Sequence, residues 1–444
     1  MGATEDEEAV EKRGLVKTLT SIAGVDSLSK QISKATSTSA ILNLLVSAAP
    51  GAAPQNETAL QSSLKSIWGT TPSNFYSALS DQILAGIVPA LDLTSLSTIV
   101  DPTSGPNSVI NDNPKEPAQP VYPQKGVKDA PYLLSEQELR QIIQFPEGFT
   151  YGQKQPVIFV SGTGVYGYEA FQNNLIKLLT GVDYADPVWI NIPKASIPDA
   201  QINSEYVAYA INYIAGITNR NVSVITYSQG GPNAQWALTF WPSTRDVVSN
   251  FFPVSPDFHG TLMANLLCLN FGGASGLGPC DPSVLQQEYT SDWVKALLAK
   301  DQASAWVPTT TFYSGLLDEI VQPQSGSGAS AYRFDIRHVG VTNNEAQLVC
   351  PGQLAGSFYG HAGMLYNPIT FALIQDALTN GGPGQTKRLD LDTVCAPYVA
   401  PGLTLTDAVL TSATILLSGL RILAYFPKYL TEPALMAYVN NDVS

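Results

Sequence analysis

Short apolar runs that alternate with helical segments, from Pro156 onward, most constrain how this chain can fold. Three of the runs have the length and composition of buried strands, at residues 157–160, 188–192 and 222–226. Helical spacing fills the intervals, over residues 168–179 and again along Ile202, Tyr206, Ala210, Ile211 and Ile214. Strands that alternate with helices form βαβ units, in which neighbouring strands are parallel. The sequence therefore predicts an α/β fold with a mostly parallel central sheet flanked by helices.

Composition divides the 444 residues into three regions. Residues 1–100 are rich in Ser, Ala, Leu and Thr and carry helical spacing at Leu60, Leu64 and Ile67 and at Leu79, Ile83 and Ile87. Residues 101–128 contain six prolines, which remove backbone donors and block helices. We therefore predict a helical, pro-region-like N-terminal extension over 1–100, a proline-rich linker over 101–128 and the α/β domain over 129–444.

Charge and hydropathy exclude several classes of partner. The formal net charge is −14, which argues against binding to nucleic acid or to anionic membranes. The longest apolar stretch, residues 408–420, is shorter than the 18 or more residues that a membrane span needs. We expect no transmembrane segment and interpret this stretch as an amphipathic helix on the core or beside an apolar pocket.

The cysteines indicate the compartment. They form no C-x-x-C pair and have no histidine cluster nearby, so we predict no zinc or other metal site: Cys268, Cys280, Cys350 and Cys395. An even number in a chain with few charges favours two disulfides and therefore a secreted, extracellular protein. Sequons at Asn56 and Asn221 permit glycosylation. The acidic residues 1–13 do not contain the apolar core of a signal peptide.

A candidate nucleophile lies at a junction between a strand and a helix. Ser228 follows the predicted strand 222–226 and precedes a predicted helix over residues 232–240. This is the context of a nucleophile elbow, although Thr226 replaces the first glycine of G-x-S-x-G. The residue after such a serine donates one N–H to an oxyanion, which points to Gln229. Thr163, in the loop after the first strand, could supply the second donor.

Histidine is scarce enough for the base to be found by elimination. In a fold of this kind the chain order is serine, acid, histidine, and His259 follows the serine too soon. His338 lies in an alternating stretch, residues 333–339, that is typical of a strand. His361 has glycines nearby on a loop and is the remaining candidate. The predicted strand 310–314 leads to Asp318 and Glu319, and the order of residues alone does not choose between them as the orienting acid.

The residues named so far resemble those of the Candida antarctica lipase B-like family, which consists of serine lipases with the α/β-hydrolase fold. The resemblance extends from Pro156 to about Tyr438 and includes residues 226–231, the seven-residue run from Asp318 to Gln324, and His361-Ala362-Gly363. The family shares the threonine in the elbow. The resemblance implies that residues 129–444 are the catalytic domain.

Site roles follow from this resemblance position by position. It implies a triad of Ser228, Asp318 and His361, so that Asp318 is preferred to Glu319, and an oxyanion hole of Thr163 and Gln229. Asp257 matches an aspartate near the serine and is expected to shape the pocket, and Tyr227 stands where the family has tryptophan.

The resemblance also implies one pairing of cysteines, a disulfide between Cys350 and Cys395. Cys268 and Cys280 have no counterpart in the family. They would close a loop around the insertion at residues 269–279, in the region that carries the family's mobile lid.

The predicted function is hydrolysis of carboxylic esters through an acyl-enzyme, as in a triacylglycerol lipase, without metal or organic cofactor. The expected substrates are lipids or other hydrophobic esters, taken from a lipid–water interface or from solution. Ile415 and Leu416, on the predicted C-terminal helix, are candidate substrate contacts. Two alternatives remain open: an acyltransferase or amide-forming enzyme with the same triad, and a non-catalytic binding module.

Overall fold

A computed structural model describes residues 25–35, 37–70, 72, 74–269, 279–299, 303–315 and 317–440. Its strands are β1 Ile143–Gln144, β2 Pro156–Val160, β3 Asp186–Ile190, β4 Val222–Tyr227, β5 Val248–Val254, β6 Thr309–Tyr313 and β7 Val341–Glu345. The first nine α-helices are α1 Val25–Lys34, α2 Thr38–Val46, α3 Glu57–Trp68, α4 Phe75–Leu84, α5 Glu136–Gln141, α6 Gly167–Phe171, α7 Leu175–Leu179, α8 Ala200–Thr218 and α9 Gly230–Phe240. The others are α10 Leu262–Leu269, α11 Pro282–Gln286, α12 Asp292–Leu298, α13 Ala346–Val349, α14 Pro368–Asn380, α15 Leu391–Cys395, α16 Leu405–Ser412 and α17 Thr414–Ala424.

The strands form one sheet in the order β1-β3-β2-β4-β5-β6-β7, parallel throughout except for β1, which runs antiparallel to β3. Every residue of β2, β3, β4 and β6 is buried, because helices cover both faces of the sheet. Parallel strands bring their carboxyl ends to one edge, where ligands bind in open sheets of this kind. The α/β fold and its mostly parallel sheet are confirmed.

The N-terminal helices share a hydrophobic core with the sheet. Ile41, Leu79 and Leu420 lie in the same buried cluster as Phe159 of β2. Leu79 packs so closely on Gly419 of α17 that a side chain at the glycine would overlap it. Helix α4 is further tied to the end of α16, because Gln82 Nε2 donates to the carbonyl oxygen of Ser412 at 3.2 Å.

Residues 98–135 form no helix or strand, as their prolines require. They are held against the sheet by hydrogen bonds from other elements to their backbone. Trp189 Nε1 and Asn191 Nδ2 both donate to the carbonyl oxygen of Pro106, at 2.7 and 3.0 Å. The segment therefore runs as an ordered strap over β3.

Two predicted elements differ in the structure. The helix expected over residues 168–179 is divided into α6 and α7, because Asn174 leaves the helical conformation and caps α7 through its own side chain. The strand expected over residues 333–339 is wrong. Asp335 accepts the N–H groups of Val339 and Gly340 in a turn. Burial also opposes a strand there, because Phe334 and Ile336 are exposed while Arg333 is buried against the ring of Phe258.

The apolar C-terminal stretch forms two helices, α16 and α17, which meet at Ala413. Taken together, residues Leu405–Ala424 are long and apolar enough to cross a membrane, but 83% of their most apolar window is buried inside the protein. Packing against the core thus accounts for their apolar character. Among the described residues no other helix meets that length and composition.

Both disulfides form, between Cys350 and Cys395 and between Cys268 and Cys280. The first joins α13 to the end of α15. The second joins α10 to a short antiparallel bridge between Cys280 and Tyr429. The stretch enclosed by the second bridge, from 270 to 278, lies outside the described residues, as do residues 1–24.

Replacing the two cysteines of one bridge with serines should destabilise the protein more for Cys350–Cys395 than for Cys268–Cys280. The first bridge spans 45 residues and the second 12, and a crosslink that closes a larger loop restricts the unfolded chain more. Loop-closure entropy gives losses in the free energy of unfolding of about 4 and about 3 kcal/mol. Urea unfolding followed by circular dichroism without reductant measures both, and a larger loss for the shorter loop would contradict this expectation.

Candidate active site

Ser228 lies in a tight turn between β4 and α9, with a left-handed backbone (φ 55°). Its N–H donates to the carbonyl oxygen of Val254 on the neighbouring strand at 3.0 Å. The close packing around the turn requires two glycines. A Cβ at Gly162, in the loop after β2, would lie 2.6 Å from the Cβ of Ser228, and one at Gly230, at the start of α9, would lie 2.5 Å from the carbonyl oxygen of Val160. This is the geometry of a nucleophile elbow, which presents the serine at the carboxyl edge of the sheet.

His361 and Asp318 form a buried pair beside this serine. Nδ1 of His361 lies 2.9 and 3.1 Å from the two carboxylate oxygens of Asp318, and both side chains are at most 2% exposed. Oδ1 of Asp318 also accepts the backbone N–H groups of Ile320 and Val321, at 2.9 and 2.8 Å. In the neutral imidazole, a hydrogen bond donated by Nδ1 to the Asp318 carboxylate leaves a lone pair on Nε2.

Three carboxyl groups set the pKa of His361. Burial alone would lower this pKa, but Asp318, Glu319 and Asp257 outweigh burial and raise it above the ordinary value of 6.5. Glu319 also accepts the backbone N–H of His361 at 2.7 Å. Burial, reinforced by the charge of Asp318, raises the pKa of Glu319 to about 7. Burial likewise raises the pKa of Asp257 to about 7, and neither oxygen of Asp257 has a hydrogen-bond partner among the described residues.

Ser228 and His361 open on one cavity. Nε2 of His361 has no hydrogen-bond partner within the described part of the chain, and the two residues line the same pocket. Catalytic hydrogen bonds are often long before a substrate binds. The rest of the lining is mainly apolar and includes Phe75, Val165, Met263, Ala264, Leu267, Val284, Ile320, Ile415 and Ile422.

Polar side chains collect at one side of this cavity. The hydroxyl of Thr163 donates to the side-chain oxygen of Gln229, and Gln287 Nε2 lies 3.1 Å from that hydroxyl and 3.2 Å from the same oxygen. The backbone N–H groups of Thr163 and Gln229 make no hydrogen bond to other described backbone groups. Two free N–H groups beside a serine are the requirement for stabilising an oxyanion.

The remaining predicted residues are distributed as follows. The ring of Tyr227 lines the cavity and lies 4.9 Å from the imidazole of His361. Ile415 also lines the cavity, but Leu416 does not: it is fully buried in the core, on another side of α17. Sequence reasoning missed Gln287 and Phe75, which sit in segments without any recognisable motif.

The other two histidines lie outside the cavity lining. Burial next to Arg333 lowers the pKa of His259 to about 4, and His338 occupies a turn with φ 53°. No group of three His, Cys, Asp or Glu side chains that could hold a metal ion occurs within the described residues.

Comparison with known proteins gives two close relatives, although no family model matches the chain. Lipase B of Pseudozyma antarctica is 37% identical over 288 residues, which are 64% of this chain and 79% of that protein. The crystal structure of Aspergillus fumigatus lipase B superposes with a TM-score of 0.81 at 41% identity. That superposition covers 94% of this chain and 99% of the other, so it extends well into the N-terminal helices.

The imidazoles of His361 and His259 should titrate on opposite sides of the ordinary value of 6.5, and NMR of the three histidines can measure both. We expect a midpoint above 6.5 for His361 and near 4 for His259. Replacing Glu319 with Gln should lower the His361 midpoint, because it removes a carboxylate that stabilises the imidazolium.

Glu205→Gln is the matched control, since Glu205 is another buried carboxyl with a pKa near 7 that does not act on His361. A His361 midpoint below 6.5, or equal shifts in both variants, would refute this account of the site.

Proposed function

The chain belongs to the lipase B family of serine ester hydrolases, and from this premise we propose that Ser228, His361 and Asp318 are its catalytic triad. One observation carries the assignment: a strained serine and the free nitrogen of a buried His–Asp pair open on the same apolar cavity. The proposed oxyanion donors are the N–H groups of Thr163 and Gln229, which face no other backbone acceptor in the described residues.

The proposed chemistry is acyl transfer in two steps. The Oγ of Ser228 attacks the ester carbonyl while Nε2 of His361 takes its proton, and Asp318 stabilises the resulting imidazolium. The carbonyl oxygen becomes negative and accepts hydrogen bonds from the two N–H groups, which are typically worth about 2.7–4 kcal/mol each. His361 then protonates the departing alcohol, and water attacks the acyl-enzyme with the same groups in reverse roles.

The surroundings of the cavity support hydrophobic esters as substrates. Helix α10 turns Met263 and Leu267 towards the cavity, while Leu262 and Leu266 on its other side are 51% and 40% exposed. Phe426, Tyr429 and Leu430, beyond the end of α17, are also exposed. Because Cys280 pairs with Tyr429 and is bonded to Cys268 of α10, these apolar groups lie near one another. We propose that this rim meets the lipid side of a lipid–water interface.

We propose that the N-terminal helices are part of the binding site and not a detachable appendage of the catalytic domain over 129–444. Phe75, at the start of α4, contributes to the cavity lining and is 5% exposed. Trp68 at the end of α3 packs on its ring with centroids 5.6 Å apart. Leu64 and Trp68 also line a smaller cavity with Gly360 and Ala362, which flank His361.

The disulfides support a site of action outside the cell. All four cysteines are paired, as expected for a chain that matures in an oxidising compartment. We therefore propose that the protein is secreted.

Hydrolysis of p-nitrophenyl esters from acetate to palmitate tests the triad. Ser228→Ala should lower kcat by about 10⁶-fold, and Asp318→Asn by about 10⁴-fold because the histidine loses its correct tautomer. Ser249→Ala, on β5 at the opposite end of the sheet, should retain activity. A fluorophosphonate should label Ser228 in a peptide digest, and labelling of another serine would contradict the assignment.

Phe75→Ala should change the preference of the enzyme among acyl groups. Removing the ring from the cavity wall enlarges the cavity, so kcat/KM for long or branched esters should rise about 10-fold relative to acetate. Leu60→Ala is the control, because Leu60 is fully buried in the same helical layer but does not line the cavity. It should cost about 2–5 kcal/mol of stability and leave the ratio unchanged. An unchanged ratio in Phe75→Ala would show that α4 takes no part in substrate selection.

A further inference from the structure

Helix α17 holds the loop that carries Thr163 by two hydrogen bonds to backbone oxygens. The hydroxyl of Ser418 donates to the carbonyl oxygen of Thr163 at 2.7 Å. The guanidinium of Arg421 donates through Nη1 to the carbonyl oxygen of Gly164 at 3.0 Å. Ser418 and Arg421 are three residues apart, so they project from one face of α17. Two consecutive peptide groups of the loop are therefore fixed by one rigid helix.

Arg421 is itself held on three sides. Its two terminal nitrogens form a bidentate pair with Glu169, at 2.6 and 2.8 Å, and its guanidinium lies 4.8 Å from the ring centre of Tyr166. Glu169 in turn accepts the backbone N–H of Tyr166 at 3.1 Å. Arg421 is only 7% exposed. The bidentate pair fixes the orientation of the buried guanidinium. Its hydrogen bond to Gly164 therefore fixes the position of that carbonyl oxygen.

The backbone of the loop packs directly against the backbone of α17 at Gly164. Gly164 has a left-handed backbone (φ 78°), and a Cβ there would lie 2.5 Å from the Cα of Ser418. Its N–H donates to the carbonyl oxygen of Ala195 at 2.7 Å. The peptide between Thr163 and Gly164 is thus bonded at both its oxygen and its nitrogen. The Thr163 N–H belongs to the preceding peptide group, between Gly162 and Thr163, which is joined to this fixed peptide at the Cα of Thr163. Holding the 163–164 peptide therefore limits how far the Thr163 N–H can turn away from Ser228.

We propose that Ser418 and Arg421 are positioning residues for the oxyanion hole, and that they act by holding the backbone that follows Thr163, so that the adjoining N–H of Thr163 keeps the orientation that the transition state needs. This inference rests on the proposed role of Thr163. Neither side chain donates to the oxyanion itself. Their contribution is to remove the reorganisation of the loop that would otherwise accompany charge development on the substrate.

A positioning role predicts a loss in kcat with little change in KM. The ground-state ester is held mainly by the apolar lining, to which Ser418 contributes only a small side chain and Arg421 nothing. The oxyanion, by contrast, forms only in the transition state. A displaced oxyanion donor is expected to cost about 10- to 100-fold in rate. Binding of a boronic acid, which forms a tetrahedral adduct with the serine Oγ, should weaken by a similar factor.

The test uses Arg421→Lys and Ser418→Ala in the full chain. Lysine keeps a positive charge next to Glu169, so no buried carboxylate is left unpaired, but one ammonium group cannot reproduce the fork that also reaches Gly164. Ser418→Ala removes a single hydroxyl and should fold without difficulty. Lys177→Met is the matched control: Lys177 pairs with Asp407 of α16 and makes no contact with the loop. It should lower Tm slightly and leave kcat unchanged.

We expect both variants to lower kcat for p-nitrophenyl butyrate, to leave KM within about 2-fold, and to raise the Ki of butylboronic acid in proportion to the loss in kcat. An equal loss of kcat in Lys177→Met, or a loss confined to KM, would overturn the proposal. Ser228→Ala, measured in parallel, separates the two levels of inference. If it remains active, the proposed triad fails; if it is inactive while Arg421→Lys retains full kcat, only the positioning role fails.

Discussion

The left-handed backbone of Ser228 is the constraint on which the site depends. L-residues adopt this conformation at a cost of about 1–3 kcal/mol, so the surrounding structure must enforce it. Here the hydrogen bond to Val254 and the close approach of Gly162 and Gly230 do so. The turn can form only where β2 and β5 flank β4 and α9 begins at once. The packing and hydrogen bonds of the sheet therefore hold Ser228 in this conformation at the cavity.

Negative charge is concentrated behind the histidine, where it favours the imidazolium. Asp318 accepts a hydrogen bond from the imidazole, and Glu319 accepts one from the backbone N–H of His361. Asp257 makes no hydrogen bond to His361 and acts on it by its charge alone. Burial raises the pKa of Glu319 and of Asp257 to about 7, so part of this charge varies in the range where the histidine titrates. The cluster thus behaves as a coupled set of groups whose protonation steps are shared.

The sequence predicted the parallel sheet well, because strands buried on both faces appear as uninterrupted apolar runs, as at Val157 and Val222. It failed for residues 333–339, where charged and apolar residues alternate along the chain without forming a strand. There the arginines pack on aromatic rings, Arg333 on Phe258 and Arg337 on Trp306. Leu416 was expected on the pocket, but the face of α17 that reaches the cavity contains Ile415, Ser418 and Ile422. A one-residue error in helical phase turns a side chain by about 100°, so apolar composition alone could not settle it.

Positions that depend on contacts between distant segments were not accessible from local patterns. Nothing around Phe75, Gln287 or Arg421 distinguishes it from an ordinary residue of a helix or loop. Their roles arise because α4, the end of α11 and α17 converge on the carboxyl edge of the sheet. The motif around Ser228 could be recognised because the strand, the turn and the helix are adjacent in sequence.

Because segments far apart in the chain meet at this edge, the site is completed late in the synthesis of the protein. The ribosome releases the helices that hold Phe75 long before it makes α17, yet the cavity needs both segments for its walls. A nascent chain that already contains Ser228 still lacks His361 and the helix that steadies the Thr163 loop. Such an intermediate has Ser228 without the side chains that surround it in the completed site. The walls of the cavity and the His–Asp pair beside Ser228 are therefore brought together only once α17 has been made.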